Sequence, residues 1–228
     1  AVKTTASLIF DIESVRIEKL SVSFVTTKII YPDFTVRKNE ITLVKGRSGS
    51  GKTTLVRAIL GLVKSSGSIE FGFFLDKNYS QIGYCSQTPP IFSGSISSNL
   101  FLDSGIPSNL DKELIVAIEK MLMLPLQHQV TEGGRNVSGG QRVRIGIARA
   151  IFSARPVLIF DEPTNSMSWD SLVALVGAIK QFEGGVVIIS HNQDFVDSIC
   201  NEIWLMTKDP NTGIGHLKIS NDNTKNLN

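Results

Sequence analysis

Gly46 to Thr53 reads GRSGSGKT, which fits the pattern G-x-x-x-x-G-K-[ST]. Glycines at this spacing let backbone N–H groups converge on phosphate oxygens, and the N-terminus of the helix that follows adds partial positive charge. Lys52 can reach β- and γ-phosphates, and the Thr53 hydroxyl can ligate Mg²⁺. The nucleotide contacts expected from this loop are Gly46, Ser48, Gly49, Ser50, Gly51, Lys52, Thr53 and Thr54, with Arg47 facing solvent or a phosphate edge. A second stretch, VLIFDEP, is an apolar strand that ends in two acids. Buried strands rarely end so unless a cation or a proton is handled there. Alone, the pair would be an ordinary turn; downstream of a phosphate loop, Asp161 is expected to hold Mg²⁺ and Glu162 to orient or deprotonate the attacking water.

Two polar residues follow other apolar strands. His191 ends VVIISH, and Gln87 ends QIGYCSQ. In isolation the first reads equally well as a cap and the second as a surface glutamine. Beside a parallel sheet that carries a phosphate loop, the carboxyl end of a strand favours ligand contact. The stretch VSGGQ, Val137 to Gln141, opens the helical run GQRVRIGIARAIF. Ser138 can act as N-cap, and Gly139 and Gly140 expose N–H groups at the positive end of the helix dipole. Glycine costs roughly 1 kcal/mol inside a helix, so capping alone is an unattractive explanation. The chain therefore carries a second anion-ready helix mouth, without a lysine.

The elements that must position these residues are legible as alternating segments. Apolar β-rich stretches are expected at residues 15–24, 41–44, 68–71, 81–85, 157–160, 186–190 and 202–206, and helices at 52–62, 112–123, 139–152, 172–181 and 192–199. Continuous apolar strands such as VLIF suit a sheet covered on both faces, and alternation with helices suggests parallel βαβ units. Residues 88–155 break the rhythm and read as a helical insertion. Leu114, Ile115, Ile118, Met121 and Leu122 fall on one helical face, as core packing requires. The tail SNDNTKNLN is expected to fray.

With 228 residues, 42% of them hydrophobic, the chain suits one domain with a subdomain. A net charge of +2 from 23 basic and 21 acidic residues is too balanced to signal a nucleic-acid or membrane-surface protein. Cys85 and Cys200 lack metal-ligand spacing; so few cysteines suggest a reducing compartment, and both read as small buried hydrophobes. The first residues lack the pattern of a signal peptide, and Ala1 is consistent with a chain processed or cut from a longer one. The longest uncharged run, residues 78–102, is too polar to span a bilayer.

Taken in order, the phosphate loop, Gln87, VSGGQ, LIFDE and His191 resemble the nucleotide-binding domain of the ATP-binding-cassette (ABC) superfamily, from about Val15 to Met206. The resemblance implies an α/β fold: a P-loop NTPase core with a mostly parallel sheet (residues 1–87 and 156–228), an N-terminal antiparallel β part, and a helical subdomain (88–155) bearing the signature. It implies ATP and Mg²⁺ as cofactors, with Gln87 meeting Mg²⁺ and sensing a transmembrane partner, and His191 contacting the γ-phosphate. It also implies an ATP-dependent homo- or heterodimer, in which Ser138, Gly139, Gly140 and Gln141 of one domain close on ATP held by the other. Val137 stands where the family has leucine. Phe24 lies where the family places an adenine-stacking aromatic, with Tyr31 a weaker candidate. After DEPTN the family has an aspartate that helps join the two sites; here Ser168 occupies that position and Asp170 lies two residues on.

Two functional readings follow from the same resemblance. CSQTPPIFSGSISSNL and TEGGRNVSGGQ are similar to exporter cassettes, with Glu132 at an acidic position, and imply a membrane-domain partner on the same or another chain, at the cytoplasmic face of a membrane. The last third is similar to soluble ABC-F and elongation-factor cassettes, which act on ribosomes. Against the second, such proteins carry two cassettes and the charge here is balanced. A non-hydrolysing scaffold that only dimerises on ATP is a third class, opposed by Glu162. The transporter ATPase is the expectation, with no nucleic-acid partner.

Overall fold

The computed structural model describes residues 14–25, 27–71, 81–102, 116, 119–153, 155–164, 167–180, 182–191, 202–209 and 215–220. The expected helix at 192–199, most of that at 112–123, Cys200, the first residues and the expected frayed end at 221–228 lie outside them. Among the described residues ten strands form one mixed sheet. Its heart is parallel: β4 (Ile41–Gly46), β6 (Ile82–Cys85), β9 (Val157–Asp161), β10 (Gly185–Ile189) and β11 (Glu202–Lys208), in spatial order β11-β4-β10-β9-β6. Every residue of β9 and β10 is buried. That is why these strands carry no alternation: both faces of the sheet are covered.

The N-terminal part is antiparallel, as expected. β1 (Ser14–Ser23) pairs with β2 (Lys28–Ile30), β3 (Phe34–Arg37) and β5 (Ser66–Phe71). A register shift between Glu18 and Ser21, with Lys19 at φ 52°, changes the side-chain phase of β1. Val15 and Ile17 point inward before the bulge, and Leu20 and Val22 after it. β12 (Gly215–Ser220) runs antiparallel to β11 and meets β2 through one bridge, Gly215 to Ile29. The short strands β2 and β3 and the strand β12 carry too few residues, or too polar a pattern, to be read from periodicity.

Helix α1 (Lys52–Ile59) packs Leu55, Val56, Ala58 and Ile59 against one face of the sheet, in a cluster with Ile17, Phe71, Ile159 and Trp204. The opposite face is covered by α3 (Gly139–Phe152) and α4 (Trp169–Lys180) through Val143, Ile147, Leu172, Leu175 and Ile179. A third cluster joins Ile91, Met121, Leu122, Val137 and Ile145 with Ile96, Leu100 and Phe101; the last three lie on α2 (Ile96–Phe101). Residues 88–155 are not purely helical. β7 (Gly94–Ser95) and β8 (Gln129–Val130) form a two-stranded ribbon there.

Candidate functional site

Four parallel strands end on one edge of the sheet, and each delivers a polar group. β4 runs into the phosphate loop, β9 into Asp161 and Glu162, β10 into His191, and β6 toward Gln87. Together with Phe24, Thr27, Ile29, Ser48, Gly49, Gly51, Lys52, Thr53, Thr54 and Ile189 they line a cavity of about 550 Å³. This is the crevice outside the carboxyl ends of the strands, where open α/β sheets bind ligands.

The phosphate loop is built from backbone. Gly49 and Gly51 take φ of 77° and 104°, values that side chains resist. A Cβ on Gly51 would also sit 2.9 Å from the end of the Ile29 side chain, which would have to move aside. Gly51 caps α1 without a side-chain hydrogen bond, and no acid stands in the first turn. The first N–H groups of the helix therefore face the cavity without a partner of the helix's own. Lys52 is 8% exposed, and its Nζ donates to the carbonyls of Gly46 at 2.7 Å and Arg47 at 3.1 Å. Burial lowers its pKa, while Glu162 and Asp161 push it back up. Gly46 and Ser50 stand behind the loop rather than on the cavity wall; the buried Ser50 Oγ has no hydrogen-bond partner.

Glu162 lies one residue past β9, in the left-handed region at φ 52°. A non-glycine residue held there costs on the order of 1–3 kcal/mol. Its N–H donates to the Ile189 carbonyl at 2.8 Å, and its Oε1 lies 3.2 Å from His191 Nε2. One residue thus ties two strand ends, and the local twist directs its carboxylate into the cavity. Burial raises the Glu162 pKa, and His191 is the largest opposing influence. Burial likewise raises Asp161, against Lys52 and Arg57.

The donor set fits Mg²⁺ and a polyphosphate: an uncapped helix mouth, the exposed Thr53 hydroxyl, and a buried carboxylate lie around one cavity. Of the aromatic candidates, Phe24 is half exposed on the cavity wall. Tyr31 is excluded as a stacking residue. It is 1% exposed beneath the loop, and its hydroxyl donates to the Gly51 carbonyl at 3.3 Å. Its alternation with the buried Ile29 was the available signal that it faces inward.

Ser138, Gly139, Gly140 and Gln141 do not line this cavity. Ser138 caps α3 as the sequence suggests, and the cap is a complete box. Gln141 N donates to Ser138 Oγ at 3.1 Å, and Ser138 N donates to Gln141 Oε1 at 2.8 Å. Capping therefore has more weight here than the two glycines implied. Ser138 and Gly139 remain exposed.

The exporter-like stretches are knitted together. Ser93 N donates to Glu132 Oε2 at 3.2 Å, and β7 pairs with β8. Arg149, missed from the sequence, supports them from α3. It donates to Asn99 O at 2.7 Å and Pro90 O at 2.8 Å, and its guanidinium lies 5.3 Å from the Phe92 ring centre. Nothing in the helical pattern marked it out from the other basic residues of α3.

The family model described as "ABC transporter" matches residues 31–165. Lactococcin-A transport/processing ATP-binding protein LcnC of Lactococcus lactis is 29% identical over 174 residues, 70% of this chain and 24% of that protein. Elongation factor 3 of Mycosarcoma maydis is 43% identical over 82 residues, 36% of this chain and 8% of that protein. A solved structure of a bacterial Atm1-family ABC exporter with ATP bound superposes with a TM-score of 0.71 at 19% identity, over 84% of this chain and 37% of that one. The chain spans 23% to 27% of the length of the curated relatives that it matches over most of its own length. With the matching segment covering more than half of its residues, the phosphate loop and the DE strand end among them, the chain belongs to the ABC transporter family and is an ATPase domain of it.

Proposed function

We propose that two copies of this domain, or this domain and a similar one, clasp two ATP molecules between them, and that the cycle of clasping and hydrolysis drives a transmembrane partner. The observation that carries the reading is the separation of the two helix mouths. The mouth of α1 opens into the nucleotide cavity, while that of α3 lies outside it with Ser138 and Gly139 exposed. An anion site completed by a second molecule accounts for both. In this reading Phe24 stacks on adenine, the N–H groups of residues 49–54 cradle the phosphates, and Lys52 leaves its carbonyl partners for the γ-phosphate. Thr53, Gln87 and Asp161 would hold Mg²⁺, which when bound offsets charge on the β- and γ-phosphates. Glu162 takes a proton from water as its oxygen attacks the γ-phosphorus; the bond to the β-phosphate oxygen breaks and ADP leaves. His191 orients Glu162 and steadies the transferring group. Residues 88–155 act as the signature-bearing subdomain, and the rest as the core.

The platform made by Glu132, Ser93 and the exposed Phe92, in the segment that begins at Gln87, supports a transmembrane partner; it is the surface on which the exporter-like stretches converge. Among the described residues no helix is long and apolar enough to cross a membrane, so the span belongs to another segment or chain. A ribosome-directed ATPase is the second reading, favoured by the 43% identity to elongation factor 3 over 82 residues. The deciding test is Glu162→Gln. With ATP it should elute as a dimer and turn over at least a hundredfold more slowly, binding ATP as before. A variant that stays monomeric at all concentrations overturns the clasp; ordinary turnover overturns the base. Co-purification of that trapped form with ribosomes, rather than with a membrane fraction, would select the second reading.

A further inference from the structure

Tyr31 follows β2 directly and is buried. Its N–H donates to the Leu20 carbonyl at 2.9 Å, which ties it to β1. Its ring belongs to the core cluster that holds Leu55, Val56 and Met206. Its hydroxyl crosses to the phosphate loop and donates to the Gly51 carbonyl at 3.3 Å. Burial pushes the hydroxyl's pKa up from its usual value, so the group stays protonated through the physiological range.

Gly51 is where the loop becomes helix. Its carbonyl also accepts from Leu55 N at 2.9 Å, the first bond of α1. The Gly51 carbonyl and the Lys52 N–H belong to one planar trans peptide and point in opposite directions. Donors on the carbonyl side therefore set the direction of the Lys52 N–H, which the helix itself leaves without a partner. Gly51 and Lys52 both line the nucleotide cavity. Gly51, at φ 104°, has no side chain to hold this plane. The Leu55 bond lies in the end turn of an eight-residue helix, and helix ends fray. The Tyr31 hydroxyl comes from another element and does not open with that turn. The same tyrosine closes the β1–β2 hairpin, whose turn places Phe24 and Thr27 on the cavity wall, with Phe24 N donating to Thr27 O at 2.7 Å.

We propose that Tyr31 is a positioning residue for the nucleotide: its hydroxyl fixes the Gly51–Lys52 peptide plane, so that the Lys52 N–H is aimed at a phosphate of a nucleoside di- or triphosphate before it arrives. Without the hydroxyl the plane can turn, and affinity falls by the fraction of molecules that are ready. A bound phosphate holds the plane by itself, so turnover at saturation is spared. Tyr31→Phe keeps the ring and removes the donor. Its Kd for ATP, measured by calorimetry without added Mg²⁺ so that ATP stays intact, should rise about three- to tenfold, as for one hydrogen bond, and its Kd for ADP by the same factor. KM should rise with Kd while kcat with Mg²⁺ stays within about twofold. In the double variant with Phe24→Ala the two effects should multiply, since they act on different walls of the cavity. Affinities are read at a temperature at which each variant's melting curve shows it folded. Unchanged Kd in Tyr31→Phe, or a lower kcat with KM unmoved, overturns the positioning role. So does a double variant no weaker than Phe24→Ala alone, which would mean that the hydroxyl acts only by holding the hairpin. The inference rests on the cavity holding the nucleotide; ATP bound as tightly by Lys52→Ala as by the wild type would overturn that reading instead.

Discussion

Glu162 joins the chemistry of the site to its strain. It occupies a left-handed turn that a glycine would take more easily, and it pays that cost to reach both Ile189 and His191. Burial holds its carboxyl above the ordinary value and His191 draws it back down. In the proposed role of Glu162 as base the carboxyl must be ionised, so kcat/KM is expected to fall on the acid side at a pH above the usual carboxylate range. In His191→Ala the downward influence is gone, and the acid limb should move to higher pH as activity falls. A pH–rate profile whose limb stays in place, or moves the other way, would remove His191 as the partner of the base. That Glu162 and His191 stand at strand ends was legible from their place after apolar strands. Their contact was not, because it depends on the register that sets Asp161 beside Ile189 and on a backbone angle that no residue type announces. Tyr31 and Arg149 make the same point: their hydrogen bonds run to backbone carbonyls of distant segments, which leave no pattern in composition or spacing.

Helices report their surroundings through their glycines. Gly146 stands in the middle of α3, where alanine has the better helical propensity, by roughly 1 kcal/mol. A Cβ there would meet Pro89 at 2.6 Å and the Cys85 thiol at 2.9 Å, so α3 lies against the end of β6 as closely as backbone allows. Gly146→Ala is expected to destabilise by about 1–3 kcal/mol, a fall in Tm of about 2–10 °C. Gly177 on α4 has open space where its Cβ would be. Gly177→Ala should therefore raise Tm, by the gain of about 0.5–1 kcal/mol that alanine brings to a helix interior. Thermal melts of the pair check the packing, and a rise in Gly146→Ala would mean that α3 does not sit on β6 as described. At this scale the long elements were well read: α3 falls at Gly139–Phe152 as expected, and β9 and β10 match to within a residue. The ribbon of β7 and β8 was not, since two-residue strands bury too little to impose a period.

If two copies clasp ATP as proposed, the consequence of two separate helix mouths is complementation. Ser138→Arg spoils the mouth of α3 and leaves the nucleotide cavity whole. Lys52→Ala does the reverse. Each alone is expected to lose nearly all turnover. Mixed, they can form one intact site from the cavity of the first and the α3 mouth of the second, and ATP turnover should reappear at up to about half the wild-type rate per dimer. A mixture as inactive as its components would mean that each molecule works alone. Thermal melts of Ser138→Arg guard against loss of the capping box, whose removal costs about 1 kcal/mol.

By itself the amino-acid sequence determined the family, the candidate chemical groups and the order of the parts. Glycines, a lysine and adjacent acids at fixed spacing are local facts, and apolar runs of five residues mark fully buried strands wherever they fall. Only the tertiary structure decided which parts meet. The parallel register gathers Lys52, Gln87, Asp161, Glu162 and His191 around one cavity, turns Tyr31 beneath it, and leaves Ser138 facing outward. Those outcomes depend on pairings between strands distant in the chain, which residue spacing along one strand does not encode.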